Sequence, residues 1–463
     1  MNAKKIISYA MALMLSVPMV TTGIISNDYS MISTYASEVD NDFEFSYDAD
    51  LNATINKYLG SDVDVEIPST VTNSKGEVCT VTELIGSLFE DKVKLQSVTL
   101  PETLTSISYG VFKGCTSLQS VTIKESSVLK TISNHAFNGC TSLTSINLPN
   151  SLQDIGPCAF YGCTSLEEVT LPNSLTSISQ EAFYGSGLTS IFIPDSVKTL
   201  DSNAFTDCTS LKTVTIEDGS KVTFSTGVFK GCTSLATVDL GTTIENLGTE
   251  LFAGCTSLTT IDIPKYIEVI YDSAFKDCTA LKTVNFSDSV TEIWQSAFMN
   301  CTSLTDVTLP PNISKISYFA FANCDSLKHI DIPTTTDSIF IREGAFAGCN
   351  SMYYIVIPQD SPTIETYALG YDYSKIENDE LIDPIPIKPF TIVGVVDSSA
   401  NTYATDNDIS FIDVSLNVLP DPPTDTPTKE NNFVNGVYGD VNGDGKASTA
   451  DLLVLKKLLL GLI

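Results

Sequence analysis

The chain has 463 residues, 43% of them hydrophobic, and acidic residues outnumber basic ones by 56 to 25. This length permits two or three domains, and the apolar fraction is that of a globular rather than a disordered chain. The formal net charge of −31 repels phosphate backbones and anionic lipid, so we expect neither nucleic acid nor a membrane surface as a partner.

The N-terminus predicts export. Two lysines precede an apolar stretch from Ile6 to Val20, which is short for a membrane span and typical of a secretory signal. We expect residues 1–36 to be a signal peptide cleaved after Ala36; an uncleaved membrane anchor is the alternative. The mature protein is then expected to be extracellular, with no membrane contact after the signal is removed.

A short motif recurs along most of the chain. "AFNGCTSLTSINLP" at 136–149 returns as "AFYGCTSLEEVTLP" at 159–172. The repeat phenylalanines are Phe89, Phe112, Phe137, Phe160, Phe183, Phe205, Phe229, Phe252, Phe275, Phe298, Phe321 and Phe346. Eight of the eleven intervals are 22 or 23 residues, and the others are 24 or 25. Such a period predicts stacked coils, because one unit alone buries too little apolar surface.

The sequence of each unit predicts two rows of apolar side chains that face the core. Leu143, Ile146 and Leu148 alternate with polar residues, as in a short parallel strand, and Pro149 ends the pairing. The second inward row of the same unit is Leu152, Ile155, Ala159 and Phe160. Leu369 lies 23 residues after Phe346 and marks a degraded thirteenth copy.

The pattern "L-x-x-I-x-x-x-A-F-x-G-C-T-S-L-x-x-V-x-L-P" resembles the BspA-like (Treponema-type) leucine-rich repeats of bacterial surface and secreted proteins, over residues 80–372. The resemblance implies a β-rich leucine-rich-repeat solenoid of about 12–13 coils. Residues 37–79 resemble the strand-rich N-terminal lead-in of such arrays. Residues 373–416, with a short helix expected around 400–404, resemble their α+β C-terminal cap.

Ten of the twelve cysteines, from Cys115 to Cys349, occupy one repeat position. Side chains stacked on adjacent coils lie about 4.8 Å apart, whereas a disulfide needs β-carbons about 3.8 Å apart. Lys92 and Ser186 occupy the cysteine position of their coils, which leaves odd runs of three and seven cysteines. We therefore expect buried, unpaired thiols, and no histidine joins the ladder to form a metal site.

No catalytic constellation is recognisable. The chain has two histidines, neither in a motif, and it has no G-x-S-x-G sequence and no phosphate-binding loop. An acidic chain offers many carboxylate pairs for glycoside hydrolysis, but no pair stands out. We expect no catalytic residues and a non-enzymatic protein.

The outward strand residues change along the array. Hydroxyl and amide side chains in the first coils give way to acidic and aromatic ones in the later coils. On the expected concave face this predicts a ligand patch for a protein or polysaccharide, formed by Asp262, Asp306, His329, Asp331 and Tyr354. The alternative is that Thr and Asn suit a solvated strand, while Asp prevents sheet aggregation.

Residues 417–432 are rich in Pro, Thr and Asp, which predicts an extended linker before a module at 433–463. Within "GDVNGDGKASTAD" at 439–451, oxygen ligands recur at calcium-loop positions one, three, five, seven, nine and twelve. These ligands are Asp440, Asn442, Asp444, the Lys446 carbonyl, Ser448 and Asp451. Without Ca²⁺ the carboxylates repel one another, so folding of the module should depend on the cation. A simple polar turn and a lone EF-hand are the alternatives.

The same segment resembles one half of a type I dockerin, the module that docks secreted proteins on the cohesins of a cellulosomal scaffold. The resemblance implies a cohesin partner for four residues: Thr449, Ala450, Lys456 and Lys457. A dockerin has two such segments, and this sequence shows one. The leucines of the following helix then need cover from a second half, from Phe433 and Tyr438, or from another molecule.

These features predict a secreted recognition protein whose solenoid binds a protein or polysaccharide and whose tail docks with calcium to a cohesin. A cellulosome component with a direct or accessory part in polysaccharide breakdown is one alternative. A surface adhesin is the other.

Overall fold

The computed structural model describes residues 38–334, 338–359, 361–372, 376–377, 380–381 and 385–423. They form a β-solenoid of about 13 coils with about 23 residues in each, which confirms the predicted fold class. The predicted signal peptide and calcium module lie outside the described residues.

The N-terminal lead-in is a five-stranded mixed sheet. Its strands, in spatial order, are Glu38–Asp40, Phe43–Tyr47, Asn52–Tyr58, Val78–Leu84 and Thr70–Thr72. The Tyr58 ring lies 5.4 Å from the Phe89 ring, centroid to centroid, so the lead-in covers the first coil. An apolar array needs such a cover at an open end.

Each coil contributes to one or both of two parallel strand rows. The strands of the longer row, here called the front row, are Asp64–Glu66, Ser97–Thr99, Ser120–Thr122, Ser145–Asn147, Glu168–Thr170, Ser190–Ile193, Thr213–Ile216, Thr237–Asp239, Thr260–Asp262, Thr283–Asn285, Asp306–Val307, His329–Asp331, Tyr354–Ile357, Thr391–Gly394 and Ser410–Asp413. Those of the second row are Ser106–Ile107, Thr131–Ile132, Asp154–Ile155, Ser177–Ile178, Thr199–Leu200, Thr223–Phe224, Val269–Ile270, Glu292–Ile293, Lys315–Ile316, Phe340–Ile341 and Thr363–Ile364.

The predicted inward rows are confirmed. In Ser145–Asn147 the central Ile146 is buried and its two neighbours are exposed. The second inward row is fully buried: Leu152, Ile155, Ala159 and Phe160. The alternation of apolar and polar residues therefore sets which side chains face the core.

The repeat phenylalanines form one continuous stack along the solenoid. Adjacent rings lie 5.0 to 5.7 Å apart, centroid to centroid, with planes tilted by 1 to 20°. All twelve rings are buried. Each ring covers the next, so the core extends as a line rather than a sphere.

The residue two positions after each repeat phenylalanine lies in a turn that needs left-handed backbone. The residue before the cysteine position has φ between +56° and +76° in all twelve coils. It is always glycine, asparagine or aspartate: Asp91, Gly114, Gly139, Gly162, Gly185, Asp207, Gly231, Gly254, Asp277, Asn300, Asn323 and Gly348. These are the residue types that tolerate this conformation, which explains the "GC" of the motif.

The cysteine ladder is a set of hydrogen-bond donors. The Sγ atom of each of its ten cysteines lies 3.0 to 3.3 Å from the carbonyl oxygen of the repeat phenylalanine of an earlier coil. All ten side chains are buried and unpaired. Each of these carbonyls also accepts the backbone amide three residues later, as Phe137 does from Cys140 at 3.0 Å, so the thiol is a second donor and has a polar role as well as the predicted packing role.

A strand–helix–strand unit closes the array. It consists of Thr391–Gly394, the helix Ser399–Asp406 and Ser410–Asp413. The buried Tyr403 hydroxyl donates to the Leu369 carbonyl at 3.1 Å and accepts from the Leu369 amide at 3.2 Å. Two small hairpins precede the unit, Tyr371–Asp372 with Ile385–Pro386 and Ile376–Glu377 with Glu380–Leu381, and a 3₁₀ turn, Val414–Leu416, follows it. No helix of the described residues has the length and apolarity of a membrane span.

Candidate functional site

Register aligns the outward residues of the front row into columns. Asp262 pairs with Asn285, and His329 and Asp331 pair with Tyr354 and Val356. Side chains of one column lie about 5 Å apart on neighbouring coils. The predicted columns therefore exist as continuous surface features.

The hydrogen-bonded ladder of the front row is interrupted three times within the described residues. The interruptions follow Glu168–Thr170, Thr237–Asp239 and Asp306–Val307. The last two interruptions coincide with open grooves on the front row. At these places the front strands of adjacent coils are not hydrogen-bonded to each other.

The first groove, of about 560 Å³, lies between Thr237–Asp239 and Thr260–Asp262. Its lining is Val238, Asp239, Leu240, Gly241, Thr242, Asp262, Ile263, Pro264 and Lys265. Gly241 has φ +64° and stands where most other coils carry the proline after the strand. The Asp239 carboxylate accepts from the Gly241 amide at 3.0 Å, and Asp262 accepts from the Asn285 amide nitrogen at 2.6 Å. Two exposed carboxylates are therefore fixed at this groove.

The second groove, of about 350 Å³, lies between Asp306–Val307 and His329–Asp331. Its lining is Val307, Thr308, Leu309, Pro311, His329, Asp331 and Pro333. The His329 ring stacks on the Tyr354 ring at 4.9 Å with a 17° tilt. Nδ1 of His329 is buried and has no hydrogen-bond partner among the described residues. Asp331 supplies an exposed carboxylate at this groove.

The five predicted patch residues do not lie together at one groove. His329 and Asp331 line the second groove, whereas Asp262 lines the first, three coils away and so roughly 15 Å distant. Tyr354 is only 5% exposed, so it supports the His329 ring rather than offering its own to a ligand. Burial first, and then the Asp331 carboxylate, raise the pKa of Tyr354. Asp306 belongs to the strand before the second groove, and its side chain lies outside the described residues.

Sequence reasoning missed the grooves and Asp239. The grooves depend on interruptions of the ladder, and a repeat pattern predicts an unbroken one. For the first groove the sequence does carry a signal, because Gly241 replaces the usual proline. No comparable signal marks the second.

The remaining predicted site residues lie outside the described residues. They are the calcium ligands Asp440, Asn442, Asp444, Lys446, Ser448 and Asp451, and the cohesin contacts Thr449, Ala450, Lys456 and Lys457. In the described part of the chain, no group of three or more His, Cys, Asp or Glu side chains is arranged to hold a metal ion.

Comparison with known proteins extends these observations. The profile described as "BspA type Leucine rich repeat region (6 copies)" matches residues 82–212, 130–259, 204–294 and 268–381. No curated protein sequence matches the chain.

Solved leucine-rich repeat structures are similar to the chain. A leucine-rich repeat protein of Treponema pallidum is 30% identical, with 48% of this chain and 91% of that one covered and a TM-score of 0.36. One from Bacteroides ovatus is 25% identical, with coverages of 69% and 94% and a TM-score of 0.46. The pneumococcal vaccine antigen PcpA is 21% identical, with coverages of 81% and 98% and a TM-score of 0.51, a likeness of fold alone.

Proposed function

Because the chain belongs to the BspA-type leucine-rich repeat family, we propose that it is an extracellular, non-enzymatic recognition protein whose front row binds a protein ligand. The carboxylates at the two grooves are the observation that carries the proposal. They interrupt an otherwise hydroxyl-rich surface at the places where the ladder also opens.

Charge favours a protein that presents basic side chains. Asp239 and Asp262 border the first groove, Asp331 borders the second, and the whole chain carries −31. A lysine or arginine side chain reaching into either groove meets a fixed carboxylate, and the protein field speeds its approach. A neutral polysaccharide offers hydroxyl donors to these carboxylates but no opposite charge.

A screen of the mature chain against arrays of extracellular proteins and glycans tests the proposal. We expect protein hits rich in lysine or arginine, with affinity that falls as NaCl rises. The variant D262N/D331N should bind such a hit about tenfold more weakly, since it loses two contacts to surface charges that contribute about 0.7 kcal/mol each. T122A/N147A changes the same column in the early coils and should bind normally.

If the chain bound only glycans, the ligand would be a polysaccharide, and the proposal of a protein ligand would be contradicted. Hydrolysis of any bound polysaccharide would contradict the non-enzymatic assignment. Each outcome is read from the same protein preparation.

We further propose that the tail binds one Ca²⁺ and then a cohesin. The ligand spacing of Asp440, Asn442, Asp444 and Asp451 supports calcium, and the dockerin resemblance supports the cohesin. Calorimetry on the mature chain should show one calcium site that D440A/D444A removes. Adding a type I cohesin then tests docking through Thr449 and its neighbours. No calcium binding near neutral pH would end both parts of this proposal.

A further inference from the structure

The second row carries a surface that neither groove uses. In its early coils, the residue after each strand is small or acidic: Ser108, Ser133, Gly156, Ser179, Asp201 and Ser225. In its later coils the same position holds Tyr271, Trp294, Ser317, Arg342 and Glu365. A position that the fold fills with serine in several coils does not need tryptophan or arginine for packing.

The large side chains of the later coils form one patch. The Trp294 ring meets Tyr271 edge-on at 5.0 Å, and the Lys315 ammonium lies 5.5 Å from the Trp294 centroid. The Arg342 guanidinium lies 5.8 Å from the ring of Tyr318 and 5.7 Å from that of Phe340. Tyr318 and Phe340 are 39% and 43% exposed. Aromatic and arginine side chains of this kind are the ones that carry binding energy at protein interfaces.

The patch contains two ion pairs, each between one acidic and one basic side chain. Lys315 pairs with Glu292 at 3.3 Å, and Arg342 pairs with Glu365. Nε of Arg342 is buried and lacks a hydrogen-bond partner among the described residues. The patch is thus locally balanced in charge on a strongly acidic molecule.

We propose that this patch binds a second copy of the chain. Consider a two-fold axis parallel to the strands, midway between Glu292–Ile293 and Lys315–Ile316. In the second copy, this axis reverses the order of the coils but keeps each residue at the same height along its strand. Each column of one copy therefore faces the same column of the other copy. The register then determines which residues meet.

In the four coils that this axis pairs, the pairs on the two outward columns are complementary. In the first column, Glu292 meets Lys315 and Val269 meets Phe340. In the second, Tyr271 meets Arg342, a cation–π pair, and the large Trp294 meets the small Ser317. In the turn beyond the second column, Asp272 meets Glu343, so like charges mark one edge of the contact.

The size of the contact predicts a weak dimer. The four paired coils and about five residues along the strand cover roughly 300 Å² per copy, less than half of a standard interface. We therefore expect a dissociation constant on the order of 100 µM.

Sedimentation of the mature chain from about 10 to 500 µM tests the proposal. Wild type should shift from monomer toward dimer over this range. E292K and K315E should each weaken the dimer about tenfold or more, because each places like charges opposite each other. An equal mixture of the two variants should dimerise again, since one copy then carries two positive charges and the other two negative ones. Mixing the two variants cannot repair a folding defect. Recovery of the dimer in the mixture would therefore show that the two charges act at the contact between copies.

W294A should also weaken the dimer about tenfold. D154K and S177E change the matching column in the early coils and should dimerise like wild type. A wild-type chain that stays monomeric to about 500 µM would overturn the proposal. So would E292K and K315E variants that dimerise normally, or a mixture that does not recover.

Discussion

The early and late coils of the solenoid share one interior and differ in their outer surface. Between residues 97 and 225 the outward positions are mostly serine, threonine and asparagine, whereas from 239 to 365 they include Asp239, Trp294 and Arg342. The phenylalanine stack and the thiol–carbonyl bonds run through both parts with the same geometry. Inward positions therefore specify the fold, and outward positions are free to specify partners.

Alkali should unfold both parts together. Burial raises the pKa of the Cys115, Cys163 and Cys278 thiols to about 12. An unfolded thiol titrates near 8.5, so the folded state keeps its full stability below that pH and loses it as pH rises toward about 12. Circular dichroism and thiolate absorbance should therefore change together in this window. Thiolates that form near pH 9 at Cys163 or Cys278 in a folded protein would contradict the burial of these two thiols.

Removing a ring from the phenylalanine stack should lower the free energy of unfolding by about 3–5 kcal/mol in the early coils and in the late coils. Phe160 and Phe298 are both fully buried, with neighbouring rings 5.0 to 5.2 Å away. F160A and F298A should therefore lower the urea midpoint of unfolding by similar amounts. A much smaller effect in one part would show that the interior is not shared.

Removing one thiol should cost about 0.5–1.5 kcal/mol, because the buried phenylalanine carbonyl loses its second donor and keeps the backbone amide three residues later. Cys163 and Cys278 are a matched pair, each 3.2 Å from its phenylalanine carbonyl. C163A and C278A should therefore lower the free energy of unfolding equally. Cys158 lies off the ladder and is only half-buried, so C158A should have the smaller effect.

The interior was predictable because its chemistry repeats. A period of 23 residues, the apolar alternation and the turn signals all follow from residue type, and the structure confirms the strands and both inward rows. The donor role of the thiols was not predictable, since it depends on where the Phe112 or Phe137 carbonyl points. The left-handed backbone of the "GC" turn could have been inferred from the alternation of Gly, Asn and Asp at that position.

The site was only partly predictable. The hypothesis from the sequence grouped Asp262 with His329 and Asp331, which lie at two different grooves, and it placed the buried Tyr354 on the surface. Whether neighbouring coils stay hydrogen-bonded depends on small differences in backbone path, such as the turn at Gly241. Those differences decide where a groove opens, and apart from the glycine at position 241 the residues alone do not show them.

The most direct test compares binding and unfolding in one set of variants. For a ligand found in the protein screen, D262N/D331N should raise the dissociation constant about tenfold, while T122A/N147A leaves it unchanged. All of these side chains are on the surface, so both variants should unfold within about 0.5 kcal/mol of wild type. Equal loss of binding in both variants, or no loss in D262N/D331N, would contradict the claim that the outward columns of the late coils carry recognition.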